Sequence, residues 1–134
     1  MLRIRQALEK AVLAVAPAID TAFENTTFKP RAGEPYQQLH FLPAKPEAAV
    51  IDDSISEVLG VFQITLRYPA GKGVKDVLER ASLYERAFSV GAKFEHAGVK
   101  TYIYRPAEIN ILGVDGDRYG VGGFFFFLFF KEGK

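Results

Sequence analysis

The chain has 134 residues, of which 49% are hydrophobic and 25% are charged. This composition excludes wholesale disorder, and the length predicts one domain (residues 1–134) with its own core. A net charge of +1, from 17 basic and 16 acidic side chains, argues against a strongly basic nucleic-acid-binding protein. With no cysteine and two histidines, we expect no disulfide, no thiolate site, no metal site and no cofactor.

The first half of the chain predicts one helix and three strands. Residues 2–15 place apolar side chains at helical spacing, and Pro17 ends the helix. A Pro- and Gly-rich loop covers 25–35, and 44–54 is either a long loop or a ragged strand extension. The clearest strand alternates apolar and polar residues with a period of two, so it has one buried face. The predicted strands of this half are 19–24, 36–42 and 57–68.

The second half predicts a helix followed by three strands. Residues 74–90 carry one apolar stripe and one charged side, and Gly91 is a plausible C-cap. Residues 115–117 form a turn between the last two strands. The chain is therefore expected to be α+β, with a mostly antiparallel sheet and two amphipathic helices packed on one face. The predicted strands of this half are 99–104, 108–114 and 119–130.

The N-terminal segment does not predict a leader or an anchor. Glu9 and Lys10 interrupt the apolar stretch that a signal peptide would need, and no run of 18 apolar residues occurs. We therefore expect a soluble cytosolic protein without a membrane contact.

Two short motifs suggest binding chemistry but fit ordinary turns better. Gly71-Lys72-Gly73 precedes a helix, as phosphate loops do, but the next residue is Val74 where a Walker A loop needs Ser or Thr. Asp115-Gly116-Asp117 begins like a calcium loop, but its twelfth position is Phe126 rather than Glu. Neither motif predicts a site.

Catalytic chemistry has no local support in the sequence. His40 lies in a predicted strand, and His96 lies in a predicted turn without a visible partner set. The sequence contains no GxSxG, no HExxH and no paired-carboxylate signature. We therefore predict no enzyme and no catalytic residue.

The aromatic run Phe124–Phe130 is the unusual feature of this chain. In a strand, Phe125, Phe127 and Phe129 share one face, and both faces are apolar. Either the strand is covered on both sides within the monomer, or a subunit interface covers the second face. The second interpretation is favoured, because two helices are too few to cover both faces.

Two charged segments are further candidates for protein contacts. The 25–35 loop carries basic residues, and the 44–57 region is mainly acidic, so loops of opposite charge could meet between subunits. Solvated loops are an equally good interpretation. The predicted contact residues are Lys29, Arg31, Asp52, Asp53, Glu57, Phe125, Phe127 and Phe129.

The order of these elements resembles a known protein family. Its most specific pieces are Phe23-Glu24-Asn25 before the Pro-rich loop, Pro35-Tyr36 opening a strand, and Gly60-Val-Phe-Gln-Ile64 leading to Tyr68-Pro69-Ala-Gly71. Over about residues 1–130 the chain is similar to the tail terminator proteins of long-tailed bacteriophages and prophages. These pieces are packing and turn signals, so their order and spacing carry the resemblance.

The resemblance implies a hexameric ring that caps the head-proximal end of the tail tube. Such a ring ends tube polymerisation and joins the tail to the head connector, and DNA passes through its lumen without specific binding. The implied partners are copies of the chain, a tail tube protein and a connector protein, in the virion and in the host cytoplasm during assembly. A head-completion or neck protein, and a small α/β homo-oligomeric binding module, remain alternatives.

Overall fold

The fold combines two helices with eight strands in a computed structural model that describes residues 2–43, 49–50 and 55–132. The mostly antiparallel α+β class predicted from sequence is confirmed, with one parallel pair, β1 with β2. The elements in chain order are α1 (Leu2–Leu13), β1 (Asp20–Ala22), β2 (Tyr36–Pro43), β3 (Ala49–Val50), β4 (Ile55–Pro69), α2 (Lys75–Ala87), β5 (Lys93–His96), β6 (Val99–Ile103), β7 (Glu108–Asp115) and β8 (Arg118–Glu132).

Two long strands, β4 and β8, form the centre of the sheet. They pair antiparallel from Ile55 with Glu132 to Pro69 with Arg118. The strand order is β1-β2-β4-β8-β6-β5, while β3 pairs with β4, and β7 pairs with the N-terminal half of β8. Because β6 pairs only with residues 127–129 of β8, β6 and β7 share one side of that strand.

Two strands were absent from the sequence-based order. β5 occupies residues that were assigned to no strand, and His96 is its last residue rather than part of a turn. The turn is Ala97-Gly98, where both residues have positive φ. β3 shows that the 44–54 segment includes a strand extension at 49–50, and the rest of that segment lies outside the described residues.

The core lies on the sheet face that carries every second residue of the central strands. The registers align Phe41 with Phe62, and Phe62 with Phe125, so their side chains share this face. Both helices contribute buried residues to the same core cluster, Ile4, Leu8 and Val12 from α1, and Val77, Ala81 and Tyr84 from α2, with Phe88 just after α2.

Phe88 shows how the second helix reaches the sheet. Its ring centroid lies 5.2 Å from Phe125, 5.1 Å from Phe94 and 6.2 Å from Phe62. At the other helix, the Arg5 guanidinium lies 5.2 Å from the Phe41 ring centroid. Within the described residues, neither helix is long and apolar enough to cross a membrane.

Candidate interaction surface

The two faces of β8 differ in burial. Phe125, Phe127 and Phe129 are buried within this chain, and Phe127 stacks on Phe41 at a centroid distance of 5.0 Å. The alternate residues Phe124 and Phe126 are only half-buried. The three phenylalanines predicted as contact residues are therefore core residues in this structure, and a partner would meet the opposite face.

That opposite face, here called the outer face, has an apolar area at one end. Leu42 is 51% exposed, and Leu59 is also exposed. The register aligns Val61 with Phe126 and with Leu42, so these side chains form one continuous area. The area consists of Leu42, Leu59, Val61, Phe124, Phe126 and Leu128.

A cation borders the apolar area. The Arg105 guanidinium lies 4.0 Å from the Phe126 ring centroid, close enough for a cation–π interaction, and its Nη2 is 3.4 Å from Glu108 Oε1. The outer face therefore presents an apolar area with an arginine at its border.

The basic loop at 25–35 is attached to the edge of the sheet. Arg31 donates hydrogen bonds from Nε and Nη2 to the two Asp20 carboxylate oxygens, at 2.7 and 2.9 Å. The hydrogen bond from Arg31 is the main cause that lowers the pKa of Asp20 below its ordinary value. Lys29 is exposed in the same loop. Both predicted basic contact residues are therefore on the surface, and Arg31 is held at β1 by its pair with Asp20.

Arg118, to which no role was assigned from the sequence, holds this loop against the sheet. Its side chain is nearly buried, its guanidinium donates to the backbone carbonyl of Arg31 at 2.9 Å, and it donates to that of Glu34 as well. The guanidinium also lies 5.0 Å from the Tyr36 ring centroid. The loop is thus positioned by a charged group from a strand more than 80 residues later in the chain.

The predicted acidic contact residues are only partly within the described structure. Asp52 and Asp53 lie outside the described residues. Glu57 belongs to β4, where its Cα is paired with Ala49 and Phe130. Along β4, Glu57 lies toward the Ile55 end, whereas the row of Asp20 and Tyr36 crosses this strand at Arg67.

A second buried arginine connects α2 to the segment that follows α1. The Arg80 guanidinium donates to Tyr84 Oη at 2.9 and 3.1 Å, to Val15 O at 3.4 Å and to Pro17 O. The Tyr84 hydroxyl donates to Gln37 Oε1. These neutral acceptors satisfy the buried charge, so the arrangement supports the fold rather than chemistry.

The motifs with possible binding chemistry adopt turns. Gly71 and Gly73 both have positive φ, and the 250 Å³ cavity that Lys72 and Gly73 help to line is also lined by the acidic residue Asp76. Asp115 and Arg118 close a hairpin around Gly116 and Asp117. His40 is exposed on β2. Across residues 2–43, 49–50 and 55–132, no three His, Asp or Glu side chains form a group that could hold a metal ion.

Comparison with known proteins identifies the family. A solved structure shares the fold with a TM-score of 0.75 and 24% sequence identity, covering 94% of this chain and 92% of that chain. No curated protein matches the sequence. The family model for phage tail terminator proteins matches residues 3–121, which end just before the aromatic run. The chain therefore belongs to the phage tail terminator family.

Proposed function

We propose that this chain, as a single domain, forms a hexameric ring that caps the head-proximal end of a phage tail tube. The ring stops polymerisation of the tail tube protein and offers its other surface to the head connector. DNA passes through the lumen without specific binding. The protein acts in the virion tail, after assembly in the host cytoplasm, and it has a structural role rather than an enzymatic one.

Membership of the tail terminator family is the observation that carries this proposal. The surface is compatible with it, because both helices are inferred to cover one face of the sheet and leave the outer face to other proteins. The apolar area around Leu42 and Phe126 is the part that assembly would bury. The proposed charged contacts are the residues predicted from sequence, namely Lys29, Arg31, Asp52, Asp53 and, on β4, Glu57.

Tube assembly in vitro tests the terminator role. Tail tube protein is polymerised with and without this chain, and tube lengths are measured by negative-stain electron microscopy. We expect shorter tubes with an added ring at one end only. Unchanged lengths, or decoration along the sides of the tube, would contradict the proposal. Binding to the connector ring without binding to the tube would favour a neck or head-completion protein instead.

A matched pair of variants connects this assay to the outer face. Leu42 lies in the apolar area and is 51% exposed, whereas Leu13 on α1 is 50% exposed outside that area. Leu42→Glu is expected to reduce capping, because it places a charge in a surface that becomes buried. Leu13→Glu is expected to cap normally. Equal capping by both variants would show that the outer face is not used.

A further inference from the structure

Two strand edges, on β1 and β7, lie on opposite sides of the same part of the sheet. We propose that the β7 edge of one copy of this chain pairs, in antiparallel orientation, with the β1 edge of a second copy. This inference rests on the proposed function and names the contact between neighbouring subunits. Among the described strands, β1 pairs only with β2, and β7 pairs only with β8.

The two edges are level with each other across the sheet. Around this level the sheet is five strands wide, in the order β1-β2-β4-β8-β7. A second copy placed beside the first can therefore continue the sheet without a large shift along the strands. One row of paired residues is Thr21, Gln37, Leu66, Val121 and Ile111, and the next is Ala22, Gln38, Thr65, Gly122 and Asn110.

The strand directions suit a head-to-tail contact. β1 is parallel to β2, and the pairs from β2 through β4 and β8 to β7 are all antiparallel, so β1 and β7 run in opposite directions. Rotation about an axis along the strands preserves direction, so β7 meets the next copy's β1 antiparallel. Each copy then donates one edge and accepts the other, and such a contact can close into a ring.

The β7 edge has the chemistry of an interface. Ile111 and Val114 are 63% and 67% exposed, and neither Lys nor Pro occurs between Ile109 and Val114. Natural proteins protect free edges with such residues, because an exposed apolar edge pairs with other chains. A bulge between Ile111 and Gly113 limits the regular part of β7 to about the length of the three-residue β1.

Charge favours β1 over a second β7 as the partner. Antiparallel pairing of β7 with itself, centred on Ile111 and Leu112, would place Glu108 opposite Asp115, and like charges in that position are destabilising. By contrast, the Arg31 side chain remains exposed beside Asp20 at the β1 edge. Asp20 is in the row of Gly113, so the acidic turn at Asp115 lies near the level of Arg31.

Disulfide trapping tests this contact directly, because the chain has no cysteine of its own. Ala22→Cys is combined with Asn110→Cys in one chain, and separately with Glu108→Cys to sample a shifted register. One cysteine on each edge links copies in series, so mild oxidation should give a ladder extending beyond dimers that collapses on reduction. The single variants should stop at weak dimers.

The trapping experiment has two outcomes that overturn the contact. One is the absence of a ladder from both cysteine pairs. The other is a dimer formed by Asn110→Cys alone as fast as the double variant forms its ladder, which would indicate a β7–β7 contact.

A matched pair of lysine variants tests the apolar edge. Adding Ile111→Lys to the cysteine pair that forms a ladder should slow ladder formation about tenfold. Val90→Lys adds the same charge at a 56% exposed valine outside both strands and should leave the rate unchanged. Equal rates of ladder formation in the two variants would show that β7 does not form the interface, provided that both variants melt like the parent chain.

These outcomes are separable from the terminator role. A chain that caps tubes but forms no ladder would retain its function with a different subunit contact. A chain that forms the ladder but leaves tube length unchanged would have the proposed subunit contact without the terminator role.

Discussion

Gly60 and Phe127 are paired across β4 and β8, and the Phe127 ring fills the space above the glycine. A Cβ at residue 60 would lie 2.8 Å from Phe127 Cε1 and closer still to Cζ. Side-chain carbons do not approach so closely, and Phe127 is 1% exposed with little room to move. The aromatic strand can therefore pack its core face only because its partner strand has glycine at this position.

Gly60→Ala is expected to destabilise the protein by about 1–3 kcal/mol, because it overpacks a close contact. Chemical unfolding followed by circular dichroism measures the effect. Gly122→Ala is the matched control in the same sheet, since a Cβ there would meet Leu112 at an ordinary 3.7 Å. Phe127→Leu should relieve part of the penalty in the double variant. A Gly60→Ala protein as stable as the Gly122→Ala protein would contradict this account of the packing.

Arg118→Met is expected to release the 25–35 loop. The substitution keeps much of the side-chain volume but removes the charged donors to the Arg31 and Glu34 carbonyls. Hydrogen bonds to a charged group contribute about 1.5–3 kcal/mol, so the substitution should lower the free energy of unfolding by an amount of that order. Hydrogen exchange should also rise in the loop before it rises in the central strands.

The exposed Arg86 on α2 provides the control for this prediction. Arg86→Met removes the same charge from the surface and should change stability by less than about 0.5 kcal/mol. If Arg118→Met leaves loop exchange unchanged, the loop does not depend on this arginine.

Local patterns in the sequence were sufficient to predict both helices and the two long strands, β4 and β8. The period-two pattern of residues 57–68 predicted most of β4, and the two-faced aromatic run predicted most of β8. β5 was missed because Lys93–His96 is short and contains two charged residues, and its turn depends on positive φ at Ala97. Local periodicity cannot identify such a strand, since pairing with β6 stabilises it.

The arginine contacts could not be predicted from the sequence for a different reason. Arg80 and Arg118 are buried, although arginine in an amphipathic helix or at a strand start is normally exposed. Arg80 donates to Tyr84 one turn away, but the other acceptors of both arginines are backbone carbonyls more than 60 residues away in the chain, and backbone carbonyls have no sequence signature. The core position of Phe125, Phe127 and Phe129 likewise depends on side chains distant in the chain, such as Phe41 and Phe88, which the aromatic run itself does not indicate.

Tyr84→Phe is expected to cost about 1–3 kcal/mol, because it leaves Arg80 donors and Gln37 Oε1 without their buried partner. Denaturant unfolding at neutral pH measures this cost. Tyr119→Phe, at a half-buried tyrosine on β8, provides a comparison outside the Arg80 network. Equal effects of the two substitutions would show that the Arg80–Tyr84–Gln37 contacts add little stability.

Ionisation of the Tyr84 hydroxyl should make the stability of the protein fall with rising pH in the alkaline range. Burial raises the pKa of Tyr84 above its ordinary value, although Arg80 opposes the shift. The unfolded chain therefore loses this proton first, and stability falls as pH rises from about 10 through the folded pKa. Tyr84→Phe should reduce this fall, leaving the part due to Tyr68, whose pKa burial also raises. An unchanged alkaline profile would contradict this assignment.

The Asp20–Arg31 ion pair predicts the opposite pH dependence at the acid end. Since the hydrogen bond from Arg31 lowers the pKa of Asp20, the unfolded chain binds this proton first as pH falls. The contribution to stability is present above about pH 4 and is lost as pH falls through the folded pKa. A carboxyl titration by NMR should find the pKa of Asp20 below that of a model peptide. Arg31→Gln should return the pKa of Asp20 to the ordinary range, whereas Lys29→Gln in the same loop should leave this pKa lowered. If the pKa stays lowered in Arg31→Gln as well, Arg31 is not the cause of the shift.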